Sequence, residues 1–243
     1  MTNDLSRLFS YSMEFYLSRM QLILVFSIPA IVAFFIPIFV PAPTFVSLCG
    51  EFLRTGSIPD LSLSDILLTG AGYVLSMFLI VETIVNINLI IKSKRTMTEM
   101  SKEVIAAIGK YSSKIFVLCT IALLVIFIFQ IVTYWFLQSL IFPFILLFIS
   151  VFLFFAPAAI VIDGYDLQTA AIRSARMCLA RPEFFLSWAV ANLICLSFFW
   201  IFFGFLQPPF SNYLLLITNA LFILPFFVVL QTQMYMEKYP LAR

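Results

Sequence analysis

The sequence predicts an all-α integral membrane protein: a polytopic bundle of about six transmembrane helices, with three amphipathic helices on one membrane surface. Hydrophobic residues make up 63% of the chain and charged residues only 11%, whereas about a quarter of a soluble domain is charged. The apolar residues form continuous runs of about 20 residues rather than the alternating pattern of barrel strands. Lipid offers no hydrogen-bond partner to an exposed backbone, so such runs cross the membrane as helices.

The predicted spans are long apolar runs with few charges, distributed along the whole chain. They are Gln21–Val40, Leu67–Ile91, Ile115–Leu137, Leu140–Ile162, Phe184–Leu206 and Tyr213–Tyr235. The third and fourth runs meet at Gln138-Ser139 and together are too long for one crossing of ~30 Å, so we expect a helical hairpin there. Pro29 and Pro225 lie inside spans and predict kinks. We predict a single integral membrane domain over residues 1–243.

The positions of lysine and arginine predict the orientation of the bundle. All of them except Arg54 lie before the first span, in the second or fourth connection, or after the last span. Cytoplasmic connections carry the excess of these residues, so we expect a protein of the cell membrane with both termini in the cytoplasm. Basic residues on that surface mark the topology or bind anionic lipid headgroups. Those predicted there are Lys92, Lys94, Arg95, Lys102, Lys110, Lys114, Arg173, Arg176 and Arg181.

Three cytoplasmic segments have the pattern of amphipathic helices lying on the membrane surface. In the first, polar residues between Asp4 and Ser18 recur at helical spacing, opposite an apolar stripe that includes Met13. In the second, Thr96 and Glu99 match a capping box that precedes another apolar stripe. The third covers residues 163–179 and begins with acidic residues, which a helix N-terminus favours.

Each amphipathic segment is followed by two predicted spans, which divides the chain into similar units. The units cover residues 1–91, 92–162 and 163–243. Their junctions share a short pattern that ends on a basic residue, namely Tyr16-Leu17-Ser18-Arg19, Tyr111-Ser112-Ser113-Lys114 and Cys178-Leu179-Ala180-Arg181. We therefore predict a threefold repeat of an amphipathic helix and a helical hairpin.

Several classes of function are excluded by composition. The chain has no histidine, which removes Ser-His-Asp catalysis, zinc-protease motifs and haem ligation by histidine. Its four cysteines form no CxxC pair, and its net charge of +2 is too small to indicate a nucleic-acid partner. We predict no catalytic residue, metal or cofactor. The expected surroundings are the lipid bilayer, and the candidate protein partners are another membrane protein or an ATPase.

Polar residues inside the predicted spans are the candidate functional residues. Glu82 lies ~15 Å from Lys92 at a rise of ~1.5 Å per residue, near the middle of the bilayer. A carboxylate there is costly, so we expect it to face a partner, a cavity or a pathway. Asn86 shares its helical face, and Gln130 and Asn192 are candidates for the same interior cluster. Two interpretations stay open: a cation or proton site between helices, or a protonated or hydrogen-bonded carboxyl that holds helices together.

A pattern near the fourth span resembles a known family. It consists of a proline near the end of the span, Pro157, an apolar exit to aspartate, Ile162-Asp163, and an amphipathic helix in which Ala170 and Ser174 are four residues apart. In these features the chain resembles the six-span membrane domain that accompanies some glycerophosphodiester phosphodiesterases, and its stand-alone YciC-like relatives. The resemblance implies a six-span helical fold. It implies no phosphodiesterase activity, because the chain contains no such catalytic domain.

Three functions remain open from the sequence. The first is a non-enzymatic transporter-like or accessory membrane subunit whose interior polar cluster contacts a small solute or ion. The second is a structural or assembly partner of a membrane complex, with the amphipathic helices as docking surfaces. A lipid-modifying enzyme is the least favoured, because the interfacial acids form no recognisable catalytic pattern. These acids are Glu99, Glu103, Asp163 and Asp166.

Overall fold

The computed structural model describes residues 2–39, 63–96, 108–136, 141–207 and 209–237, and the regular structure in these ranges is entirely helical. The predicted all-α class is therefore confirmed for this part of the chain. The helices are α1 (Thr2–Ser18), α2 (Met20–Phe26), α3 (Ile28–Phe39), α4 (Leu63–Thr96), α5 (Ser113–Phe136), α6 (Ile141–Leu153), α7 (Ala156–Ile162), α8 (Leu167–Ala180), α9 (Pro182–Phe203), α10 (Phe210–Thr218) and α11 (Leu224–Met236). A π-helical turn, π1 (Ile108–Ser112), leads into α5, and another, π2 (Asn219–Ile223), joins α10 to α11.

Within the described ranges, four helical segments are long and apolar enough to cross a membrane, as expected of a membrane protein. They coincide with the second, third, fifth and sixth predicted spans. The segments are Leu67–Ser93, Gly109–Ile126, Pro182–Phe203 and Phe210–Met236.

The first and fourth predicted spans are broken helices rather than continuous ones. In the first, α2 ends before Ser27 and α3 begins after it. Pro29 has no N–H for the carbonyl four residues earlier, and the chain tightens here, with Ser27 N bonded to Leu24 O at 3.1 Å. In the fourth, α6 and α7 separate at Phe154-Phe155, just before Pro157. Hydrophobicity predicted both apolar segments, and Pro29 predicted a kink in the first, but the break at Phe154-Phe155 was not predicted.

Helix α4 lies at the centre of the bundle. It packs against α2, α3, α5, α7, α11 and π1. From Val81 to Ile91 nearly every side chain is buried, as expected of a helix that is apolar around its whole circumference and surrounded by other helices. By contrast, α9 packs mainly against α8, α10, π2 and α11 and exposes most of its apolar side chains.

Helix α1 lies across the bundle, at 79° to the segment Met20–Ile36. It is amphipathic, as predicted. Met13, a member of the predicted apolar stripe, is 49% exposed, whereas Ser12 is buried. The inward face follows Leu8, Ser12 and Phe15 at spacings of four and three residues, and Met13 lies outside that stripe.

The third predicted amphipathic segment is the observed α8, and Asp166 is its N-cap residue. The Thr169 side chain lowers the pKa of the Asp166 carboxyl by hydrogen bonding, which keeps a negative charge at the helix N-terminus. The second predicted amphipathic segment falls mostly on residues 97–107 and lies outside the described residues, as does most of the outer connection 41–64.

Candidate functional site

Glu82 and Asn86 lie one turn apart on the same face of α4, and a third polar residue approaches them from another element. Their side chains are only 8% and 7% exposed. Ser112, the last residue of π1, is 1% exposed, and its hydroxyl approaches the Glu82 carboxyl. We call these three residues the Glu82 cluster.

The Glu82 cluster contains hydrogen-bonding atoms without partners. By strict geometry Glu82 Oε1, Asn86 Oδ1 and Ser112 Oγ have no hydrogen-bond partner in the part of the chain that the structure describes. A buried polar atom without a partner typically costs about 1–3 kcal/mol. The cluster therefore holds unpartnered carboxyl, amide and hydroxyl oxygens, atom types that suit a positively charged ligand.

The π-helical turn π1 brings Ser112 to this position. A π turn is wider than an α-helical one and often occurs at functional sites. Tyr111 and Ser112, its last two residues, are both buried, whereas Lys110 is exposed. Lys92 Nζ donates to Tyr111 Oη at 3.0 Å and to Val161 O at 2.9 Å. This amine therefore ties α4, π1 and α7 together next to the Glu82 cluster.

Another buried polar pair on α4 has a purely structural geometry. Asn88 Oδ1 accepts a hydrogen bond from Thr232 Oγ1 of α11, and Asn88 Nδ2 donates to Ile84 O at 2.9 Å. Thr232 Oγ1 also lies 2.9 Å from Val228 O. Both side chains are buried and partnered, so this pair holds α4 against α11.

The break between α6 and α7 is closed by side chains of neighbouring helices. Ser174 Oγ, from α8, accepts a hydrogen bond from Phe155 N at 2.8 Å. Gln231 Nε2, from α11, donates to Phe154 O. Backbone groups freed inside an apolar environment need such partners, so α8 and α11 hold the break in place.

The structure brings only part of the predicted interior cluster together. Glu82 and Asn86 are adjacent, as expected from their spacing. Asn192 lies on α9, which packs mainly against helices other than α4, and it is only half-buried. Gln130 belongs to α5, but its side chain lies outside the described residues.

Sequence reasoning missed Ser112. Glu82 approaches Ser112, which lies just before the start of α5. The sequence feature that could have identified Ser112 was the junction motif in which it lies. The sequence does not show, however, that this motif packs against α4.

The predicted basic surface residues have different environments. Lys114 Nζ donates to Tyr165 O at 3.3 Å, and Arg181 forms an ion pair with Glu237 at 2.8 Å. Lys92 and Lys114 therefore make hydrogen bonds within the bundle rather than lying wholly on its surface. Exposed residues of the set are Lys110, Arg173, Arg176 and Arg181. Three others have side chains outside the described residues, namely Lys94, Arg95 and Lys102.

Scans of the chain against protein-family models, curated proteins and solved structures find no match. The resemblance to the six-span membrane domain stays a prediction. The function is therefore argued from the chemistry of the Glu82 cluster.

Proposed function

We propose that this chain is a non-enzymatic, multi-pass protein of the cell membrane, with six spans and cytoplasmic termini. In this proposal it acts as a transporter-like or accessory membrane subunit that contacts a small solute or ion at the Glu82 cluster. Four apolar helical segments long enough to cross a membrane support the multi-pass part of this proposal. The broken apolar segments α2–α3 and α6–α7 supply the remaining two spans.

The observation that carries the proposal is the contrast between two polar sites on α4. Asn88 and Thr232 satisfy each other, as expected of residues that join helices. Glu82 is also buried, yet Glu82 Oε1 and Asn86 Oδ1 have no partner among the described residues. The Ser112 hydroxyl approaches the carboxyl but leaves Oε1 unpartnered, and burial of an acceptor in this state is costly. Unpartnered acceptors favour a ligand.

Replacing Glu82 by glutamine tests this function. The purified chain is placed in lipid vesicles, and the decay of imposed Na⁺, K⁺ and H⁺ gradients is measured. We expect the wild-type chain to dissipate at least one gradient faster than protein-free vesicles. Glu82→Gln should reduce that rate about tenfold, which corresponds to a loss of about 1.4 kcal/mol in the free energy of ion binding.

Thr69→Ala is the matched control, because Thr69 is also a buried residue of α4 whose hydroxyl has no partner among the described residues. This variant should transport like the wild type. Both variants should elute from a sizing column as the wild type does. A wild-type rate equal to that of protein-free vesicles would contradict transport by this chain alone.

An assembly role is the second candidate, and the packing of α9 favours it. Only 6% of the α9 span is buried in the bundle, compared with 61% of the α4 span. Phe198 and Trp200 are among its exposed side chains. In this role α9 would contact another membrane protein or the membrane part of an ATPase. Replacing Phe198 and Trp200 by alanine would then release the partner, and native electrophoresis would show a smaller complex. Glu82→Gln would leave the size of the complex unchanged.

A further inference from the structure

We propose that the Glu82 cluster is a binding site for one monovalent metal cation, with Glu82 Oε1, Asn86 Oδ1 and Ser112 Oγ as its protein ligands. The inference rests on the proposed function and names the class of ligand that the subunit handles. The three atoms come from two elements, the central helix α4 and the turn π1.

The chemistry of the three atoms favours a hard cation. They are a carboxylate, an amide and a hydroxyl oxygen, the ligand types that hard metal ions prefer in proteins. All three side chains are more than nine-tenths buried, and the three atoms lack partners within the described ranges. In native structures a buried acceptor in this state normally meets an ion or a water molecule.

Other buried hydroxyls without partners do not form comparable sites. Ser12, Thr69 and Ser76 each have such an oxygen. A serine or threonine hydroxyl in a helix can rotate to donate to the carbonyl of the preceding turn, so its cost is easily relieved. The ionised form of a carboxyl has no proton to donate, so it is relieved by taking up a proton or by binding a cation. Of these residues, only Glu82 carries a charge that a cation would neutralise.

The charge of the cluster selects a monovalent ion. Glu82 supplies one negative charge, and the Asn86 and Ser112 side chains are neutral. A monovalent cation gives a neutral complex, whereas a divalent one leaves a positive charge among apolar helices, which is costly. The neighbouring Lys92 amine is directed to Tyr111 and to the Val161 carbonyl.

The position of Ser112 links binding to helix arrangement. Here π1, a turn wider than an α-helical one, leads directly into α5. A cation held by Ser112 and Glu82 would therefore fasten the start of α5 to α4, and its release would loosen that contact.

Thermal unfolding of the purified full-length chain in detergent tests the site. The melting midpoint is measured in LiCl, NaCl, KCl and N-methylglucamine chloride at constant ionic strength and pH. A ligand that binds only the folded state stabilises it, so we expect one alkali cation to raise the wild-type midpoint by about 4 °C at tenfold above its Kd. Glu82→Gln and Ser112→Ala should remove this rise. Thr69→Ala should keep it, since Thr69 lies ~20 Å along α4 from Glu82.

Equal wild-type midpoints in all four salts would overturn the inference, as would a cation response that survives Glu82→Gln. If that variant cannot be purified folded, Ser112→Ala and Asn86→Ala decide by the same measurement. If the melting midpoint depends on the cation but the vesicles keep their gradients, the cation site is supported and transport is contradicted. If the gradients decay in a Glu82-dependent way but the midpoint is the same with every cation, transport is supported and the cation site is contradicted.

Discussion

Prolines in this bundle free backbone carbonyls, and side chains from other helices bond to some of them. Pro225 has no N–H to donate to Leu221 O, four residues earlier. The Tyr16 hydroxyl, from α1, donates to that oxygen at 3.3 Å. At the break before Pro157, Ser174 plays a comparable role for the Phe155 N–H. Individual polar side chains therefore stabilise helix interruptions, whose free backbone groups would otherwise be left without hydrogen-bond partners in an apolar environment.

Ser174→Ala tests this role of a single residue. The change leaves the buried Phe155 N–H without an acceptor, so we expect a loss of about 1–3 kcal/mol, seen as a lower thermal midpoint in detergent. Ser93→Ala is the control. Ser93 is also buried, but its hydroxyl donates to Ile90 O of its own helix at 3.0 Å. Removing this hydroxyl therefore leaves no backbone N–H without an acceptor. Equal losses in the two variants would contradict the proposed role of Ser174.

At the scale of elements, two of the predicted repeat junctions share a geometry. Helix α1 ends and α2 begins around Arg19, and α8 ends and α9 begins around Arg181. In each case the residue three positions earlier, Tyr16 or Cys178, is buried in the bundle. The middle junction instead contains π1, ending at Ser112. The threefold repeat remains a prediction that these junctions support in part.

The turn between α7 and α8 depends on Gly164, and a pair of glycine substitutions tests this. Gly164 has a φ of 74°, and nothing lies within 4 Å of an added Cβ. Gly164→Ala should therefore cost about 1–2 kcal/mol through backbone strain alone. Gly70, inside α4, has the same open space, but alanine there should be neutral or stabilise by up to about 1 kcal/mol. Thermal midpoints that shift in the same direction would show that the backbone conformation is not the cause.

At the scale of the whole molecule, charge distribution predicts the orientation in the membrane. Exposed Arg176 on α8 lies on the predicted cytoplasmic side, and exposed Gln207, after α9, lies on the predicted outer side. The amphipathic helices α1 and α8 and the Arg181–Glu237 ion pair belong to the predicted cytoplasmic side. Lysines and arginines are retained on that side during insertion, which gives the orientation a physical cause.

Cysteine labelling of whole cells tests the orientation. Single cysteines replace Arg176 or Gln207 in a chain whose natural cysteines are changed to serine, and a membrane-impermeant maleimide is added. We expect Gln207→Cys to react in intact cells and Arg176→Cys to react only after the cells are permeabilised. Reaction of Arg176→Cys in intact cells would place α8 outside and contradict the proposed topology.

The sequence by itself determined the helical class, four of the apolar spans and the helices α1 and α8, because hydrophobicity and its period act within one segment. It also identified Glu82 and Asn86 as neighbours, since four residues make one turn. Only the tertiary structure decided that Ser112 joins them, that α9, which carries Asn192, packs mainly against helices other than α4, and that polar side chains close the helix breaks. These facts depend on which helices pack together and at what level each begins, and in this chain those choices follow from contacts between distant segments.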